Sequence, residues 1–194
     1  MKLVCLLGSP RRLGNSATMA ALVASRVRAA GGEVKTVYLN GLAYRGCQGC
    51  YACKRGAERC VIKDDLEPVL SLAAEADGLL LATPVYYGDV TGQLKCFIDR
   101  TFSWLVPDYP TNPVKSRLAA GKRLAMAISQ GHPDEALFAD VFNRYADFFS
   151  WLGFKEARLL RGCGLSERSN PVNRPELVAE ADAIARWFMG ENVL

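Results

Sequence analysis

The sequence predicts a three-layer α/β fold: a five-stranded parallel sheet in the order 2-1-3-4-5, with helices on both faces. Three observations carry this. Segments that read as strands and as helices alternate along the chain, the pattern of a parallel sheet covered on both sides. The runs Leu3–Leu7 and Leu79–Ala82 are apolar throughout, as strands buried on both faces must be. Gly31-Gly32 and Asp77-Gly78 punctuate the first repeats where a helix should stop and a strand begin.

Taken in order, residues 2–7 read as strand one. Met19, Leu22, Val23 and Val27 then recur at helical spacing within a helix over 15–30. Residues 33–39 alternate, which suits a second strand nearer an edge. A loop follows over about 42–63, longer than most connections in a compact domain, and loops of that length tend to serve function. Asp64-Asp65 are placed to cap a helix running to Glu75, with their charge at its positive end. Strand three over 79–82 leads into a loop at 83–88, then a helix over 92–103 closed by Asp99-Arg100, which read as a helix-end ion pair. Prolines at 107, 110 and 113 keep 104–120 irregular. Strand four spans 123–129, and an apolar stripe over 137–152 forms a wide helical face whose breadth suggests self-association. Strand five runs from 154 to 160. A bend rich in Gly, Ser, Asn and Pro at 162–175 precedes a last helix over 176–189. The 194 residues suit one domain.

In such sheets ligands sit at the carboxyl ends of the strands, at the switch point between strands one and three. That point brings together the loops at 8–16 and 83–88. The first, Gly8-Ser9-Pro10-Arg11-Arg12-Leu13-Gly14-Asn15-Ser16, ends at a helix N-terminus, whose unpaired N–H groups and partial positive charge suit a phosphate. An ordinary strand–turn–helix reads the same way, and neither G-x-x-x-x-G-K-[ST] nor G-x-G-x-x-G is present. In the second loop, Pro84 stiffens the turn, Val85 and Tyr86 offer apolar surface, Tyr87 a further ring, and Gly88 allows close approach. Such a loop suits a flat ring and can give it backbone N–H bonds. Residues 129–132 follow strand four and lie within reach of the same place, while His132, the single histidine, reads as a surface turn residue.

Cys47, Cys50, Cys53 and Cys60 fall within the long loop, with Gly46, Gly49 and Gly56 giving it freedom. Five basic residues (Arg45, Lys54, Arg55, Arg59 and Lys63) surround them against a single acid, Glu58. Three thiols within seven residues cannot all pair with one another, and four thiolates match the ligands of a [4Fe–4S] cluster. Zinc and bare redox thiols use the same residues, and the six-residue gap before Cys60, with no proline after it, departs from the bacterial ferredoxin run. Cys5, Cys96 and Cys163 read as small buried hydrophobes. Trp104, Trp151 and Trp187 read as residues of core packing or of a subunit interface.

Net charge is +4 without a basic stripe, which argues against nucleic acid. No apolar run has membrane-spanning length and Met1-Lys2 leads straight into a strand, so the chain reads as cytoplasmic and apart from membranes.

Gly8-Ser9-Pro10-Arg11 followed by Gly14-Asn15-Ser16 resembles the phosphate loop of the NADPH-dependent FMN reductase superfamily, which has a flavodoxin-like fold. Thr83–Gly88 and Leu94-Lys95-Cys96-Phe97-Ile98-Asp99-Arg100 strengthen the resemblance, and the four cysteines bring it nearest the iron–sulfur flavoprotein branch. The resemblance implies FMN, its phosphate held by Ser9, Arg11, Gly14, Asn15 and Ser16 and its ring by Pro84, Val85, Tyr86, Tyr87 and Gly88. It implies a [4Fe–4S] cluster near the flavin on Cys47, Cys50, Cys53 and Cys60. The expected activity is electron transfer from a one-electron donor such as ferredoxin to a small-molecule acceptor, by a homodimer or homotetramer. Two alternatives remain: an NAD(P)H-dependent FMN or quinone reductase without a cluster, and a zinc- or thiol-switched binding protein. Flavin chemistry needs no side-chain acid or base, so no catalytic residue is named.

Overall fold

Strands alternate with helices through the whole chain, and the sheet they build has the order β2-β1-β3-β4-β5, parallel throughout. The computed structural model describes residues 1–167 and 169–191. The elements are β1 (Lys2–Leu7), α1 (Asn15–Ala29), β2 (Glu33–Tyr38), α2 (Leu66–Glu75), β3 (Gly78–Pro84), α3 (Gly92–Arg100), β4 (Lys122–Ser129), α4 (Asp140–Trp151), β5 (Phe154–Gly162) and α5 (Pro175–Phe188).

The strand pleat explains the continuous apolar runs. Successive side chains point to opposite faces, so each central strand feeds two cores. Leu3 and Cys5 of β1, Leu80 and Ala82 of β3, and Ala125 and Ala127 of β4 meet α1 and α5 on one face. Val4 and Leu6, Leu79 and Leu81, and Leu124 and Met126 meet α2, α3 and α4 on the other. β2 at the edge has no fully buried residue, but it does not keep the alternation expected of it: Val34 packs on one face and Val37 on the other.

Gly8 continues the ladder past β1, donating its N–H to Ala82 O (2.8 Å), while Thr91 Oγ1 donates to Gly8 O (2.7 Å). A Cβ at Gly8 would lie 2.8 Å from Leu94 Cβ and 3.1 Å from Ala82 O. Gly8→Ala should therefore cost about 1–3 kcal/mol, the ordinary cost of overpacking, read as a lowered midpoint in thermal unfolding.

Three further expectations change. α2 begins at Leu66, and Asp65 makes no cap bond to it. Asp64 does accept the Leu66 N–H (3.1 Å), but its main partners lie elsewhere. Asp99 and Arg100 do not pair with each other: Asp99 binds Lys95 one turn back, and Arg100 binds Asp64. Of the three cysteines expected in the core, Cys5 is buried, and burial pushes its thiol up to about 12. Cys96 and Cys163 are only half-buried, and Cys96 Sγ lies 3.3 Å from where a Cβ on Gly46 would be. Trp104 and Trp187 are buried, whereas Trp151 at the end of α4 is 44% exposed.

Candidate functional site

Two cavities of several hundred Å³ among the described residues share no lining residue. The first has a volume of about 490 Å³ at the carboxyl ends of β1 and β3, and its lining includes Ser9, Arg11, Gly14, Asn15 and Ser16. Gly14 precedes α1 in an extended conformation and supplies no side-chain cap. The first-turn N–H groups of α1 are thus left facing the loop, the arrangement that attracts an anion. Ser16 is buried and its Oγ has no hydrogen-bond partner. An orphaned buried hydroxyl beside an uncapped helix N-terminus fits a phosphate group, which would supply the missing acceptor. The loop itself is held rigid. Ser9 Oγ accepts the Arg11 N–H (3.0 Å), and Tyr38 Oη donates to Pro10 O (2.7 Å).

The loop after β3 meets this cavity only in part. Pro84, Val85 and Tyr86 line it, whereas Tyr87 and Gly88 do not. Both have positive φ (50° and 79°) and make the turn that returns the chain, with Tyr87 fully exposed. The expectation of free backbone donors fails at two positions. The Val85 N–H is committed to Ser129 O (2.8 Å) and the Tyr86 N–H to Asp89 O (2.9 Å). The loop therefore presents side-chain surface there. Asp89 fastens it to α4 through Tyr145 Oη (2.7 Å) and Arg144 Nη1 (3.0 Å). Burial pushes the Asp89 carboxyl up, but these bonds and the Val90 N–H more than offset it, leaving it below the usual range.

Residues 129–131 complete one wall, and a segment that sequence reasoning missed completes another. Leu165, Ser166, Ser169 and Asn170 line the cavity, and Asn15 Nδ2 donates to Ser166 O (2.7 Å) across it. The available signal was composition alone, the Ser, Asn and Gly content of the bend before α5. His132 is exposed, its Nδ1 accepting the Asp134 N–H (3.1 Å), as a surface turn residue does.

The second cavity, about 560 Å³, contains Cys47, Cys50, Cys53 and Cys60 in its wall, all as free thiols. Aromatic rings make much of the rest. Tyr51 packs edge-on against Phe102 (6.0 Å between centroids), Phe102 against Tyr109 (5.9 Å), and Phe148 against Trp151 (5.9 Å). Among the described residues no three Cys, His, Asp or Glu side chains are already gathered around one point. The four thiols are nonetheless close enough to feel one another. Burial raises the Cys53 thiol, Lys54 opposes this, and thiolates at Cys60, Cys50 and Cys47 would raise it further. Four sulfur donors on one wall beside fixed cations fit a four-thiolate metal group, whose negative charge those cations would offset.

The segments that shape this wall come from far along the chain. Lys54 Nζ lies 4.1 Å from the centre of the Phe102 ring and donates to Phe102 O and Leu105 O. Arg117 Nη2 donates to Cys53 O (3.2 Å), so the irregular segment after α3 grips the cysteine loop. The loop's two ends are tied together: Asp65 Oδ2 accepts the Ala43 N–H (2.8 Å) and Asp64 Oδ2 the Arg45 N–H (3.0 Å). No helix among the described residues is long and apolar enough to cross a membrane.

Comparison with known proteins gives the family and its relatives. The family model described as NADPH-dependent FMN reductase matches residues 1–141. The chain is similar to an iron-sulfur flavoprotein of Archaeoglobus fulgidus, 41% identical over 100 residues, which is 52% of this chain and 45% of that one. It is also similar to iron-sulfur flavoprotein MJ1083 of Methanocaldococcus jannaschii, 33% identical over 121 residues, 62% of either chain. The matched stretch thus spans about half the length of these curated relatives. In fold it is similar to the FMN-dependent NADH-azoreductase of Bacillus anthracis in complex with FMN, with a TM-score of 0.73 at 13% identity, covering 96% of this chain and 99% of that one.

Proposed function

This chain belongs to the NADPH-dependent FMN reductase family of flavin-dependent oxidoreductases, and from that premise we propose that it carries two cofactors, FMN in the cavity of the Ser9–Ser16 loop and a [4Fe–4S] cluster on Cys47, Cys50, Cys53 and Cys60. The observation that carries the reading is the placing of all four cysteines on one cavity wall, apart from the phosphate-type cavity. The name that these relatives carry, iron-sulfur flavoprotein, supports the same pair of cofactors. Bound FMN would supply the exchange between hydride and single-electron chemistry, and an iron–sulfur cluster one-electron transfer.

The chain's own residues bind and orient. Ser16 Oγ and the first N–H groups of α1 hold the phosphate, with Ser9, Gly14 and Asn15 shaping the cradle and Arg11 adding charge at its mouth. Pro84, Val85 and Tyr86 form the apolar wall against the ring, and Tyr87-Gly88 make the turn that carries that wall. The electron donor in this reading is a one-electron carrier such as ferredoxin, and the acceptor is a small molecule. A second reading, NAD(P)H-dependent reduction of a flavin or quinone without a cluster, draws on the family description itself.

Anaerobic purification with iron, sulfide, zinc and flavin assays separates these. About four irons and one FMN per chain are expected. Cys50→Ala should lose its iron and keep its FMN, because the two cavities share no lining residue. FMN without iron after reconstitution, together with rapid NAD(P)H oxidation, would establish the second reading. Zinc in place of iron would make the cysteine loop structural.

A further inference from the structure

Arg100 at the end of α3 has a side chain with no exposed surface, yet it forms part of the wall that holds the four cysteines. A guanidinium keeps its charge in proteins and has five N–H donors to satisfy. Most are accounted for. Nη1 donates to Asp64 Oδ1 (2.6 Å), Asp64 Oδ2 (2.7 Å) and Arg45 O (3.4 Å), and Nη2 donates to Ile62 O (3.1 Å). Nε is the exception: it is buried and has no close partner. Cys60 lines the same cavity, two residues before the Ile62 carbonyl that this guanidinium holds. A neutral thiol is a weak acceptor, whereas a thiolate sulfur accepts well. An unused charged donor in the lining that holds these sulfurs is therefore matched to an anionic sulfur.

We propose that Arg100 is a positioning residue for the metal group, giving its Nε–H to the Cys60 sulfur and favouring the reduced state, while the Asp64 carboxylate opposes it from the other side of the same guanidinium. This rests on the cluster reading above. Adding an electron to a four-thiolate cluster increases its negative charge, so a hydrogen bond to sulfur and a nearby cation raise the reduction potential, and a nearby anion lowers it. The two partners must then act with opposite sign. A merely structural pair would loosen the loop in the same way whichever partner changed.

The test is an anaerobic spectroelectrochemical titration of the full chain, with iron counted in each sample. Arg100→Lys keeps the charge but cannot serve Asp64 and Cys60 at once, so it should disfavour reduction about tenfold, ~59 mV for one electron. Asp64→Asn should shift the cluster potential the opposite way. Shifts of one sign in both variants, or none in either, would overturn the inference while leaving the cluster reading intact. Should Arg100→Lys fail to fold, Asp64→Asn decides alone, with no shift or a downward shift overturning it. Iron-free wild-type protein would overturn the cluster reading and this inference together.

Discussion

Ser16→Glu should purify without flavin and bind added FMN about a thousandfold more weakly than the parent, read by flavin fluorescence quenching. Ser16 sits in the first turn of α1 with its hydroxyl buried and unpartnered, where the phosphate is proposed to lie. A carboxylate there brings a like charge to within about 4 Å of the phosphate. At an effective dielectric near 20 that repulsion is ~4 kcal/mol, and each ~1.4 kcal/mol is tenfold in affinity. Ser16→Ala only removes a hydrogen bond to a charged group, about 1.5–3 kcal/mol. The series should therefore run parent, alanine, glutamate, with the far-UV spectrum unchanged. Unaltered affinity in the glutamate variant would put the phosphate elsewhere and refute the assignment of this loop.

The second large effect is on stability. Asp64→Ala should lower the unfolding free energy by about 3–5 kcal/mol, the usual cost of stranding one member of a buried ion pair. Asp64 binds both the Arg100 guanidinium and the Arg45 N–H, so its loss leaves a buried cation without its anion and unties one end of the cysteine loop. The midpoint in urea reports the first, and faster proteolytic nicking within residues 46–63 reports the second. Asp65→Ala removes one exposed bond to the Ala43 N–H and should cost only ~1 kcal/mol. The acid limb follows. Burial raises the Asp64 carboxyl, but the Arg100 hydrogen bond, the Arg45 N–H and the Arg100 charge outweigh it, so its folded pKa lies below the unfolded value of about 3.9. The stabilisation is complete above that value and fades as pH falls through the folded one. Asp64→Ala should consequently flatten the acid limb as well as lower the plateau.

The contrast between Ser16 and Asp64 shows what a sequence makes legible. The phosphate-type loop is read locally: an apolar strand, two glycines and a helix start follow one another within 16 residues, and chain continuity puts them together. The strand order follows as directly, because each central strand must feed two cores and so reads apolar throughout. Asp64 is the opposite case. An Asp-Asp pair before an apolar run has the local form of a helix cap, and nothing nearby announces that its partner is an arginine 36 residues on. Arg117 on Cys53 and the wall made by Leu165, Ser166, Ser169 and Asn170 are likewise contacts made by the fold between distant segments. The Val85 and Tyr86 N–H groups are taken for a related reason, since their acceptors, Ser129 of β4 and Asp89 across the turn, are set by the fold.

The tie between Ala43, Arg45 and the two aspartates also bears on how this chain can change. The two ends of the cysteine loop meet at one knot, closing a ring that Lys54 and Arg117 fasten again around Cys53. Lengthening such a ring costs little, about 0.6 kcal/mol for each doubling. Residues can be added or lost between Cys53 and Cys60 without any strand changing register. Spacing between Cys53 and Cys60 is thus free to vary, while Asp64, which holds both Arg100 and the Arg45 N–H, tolerates little change.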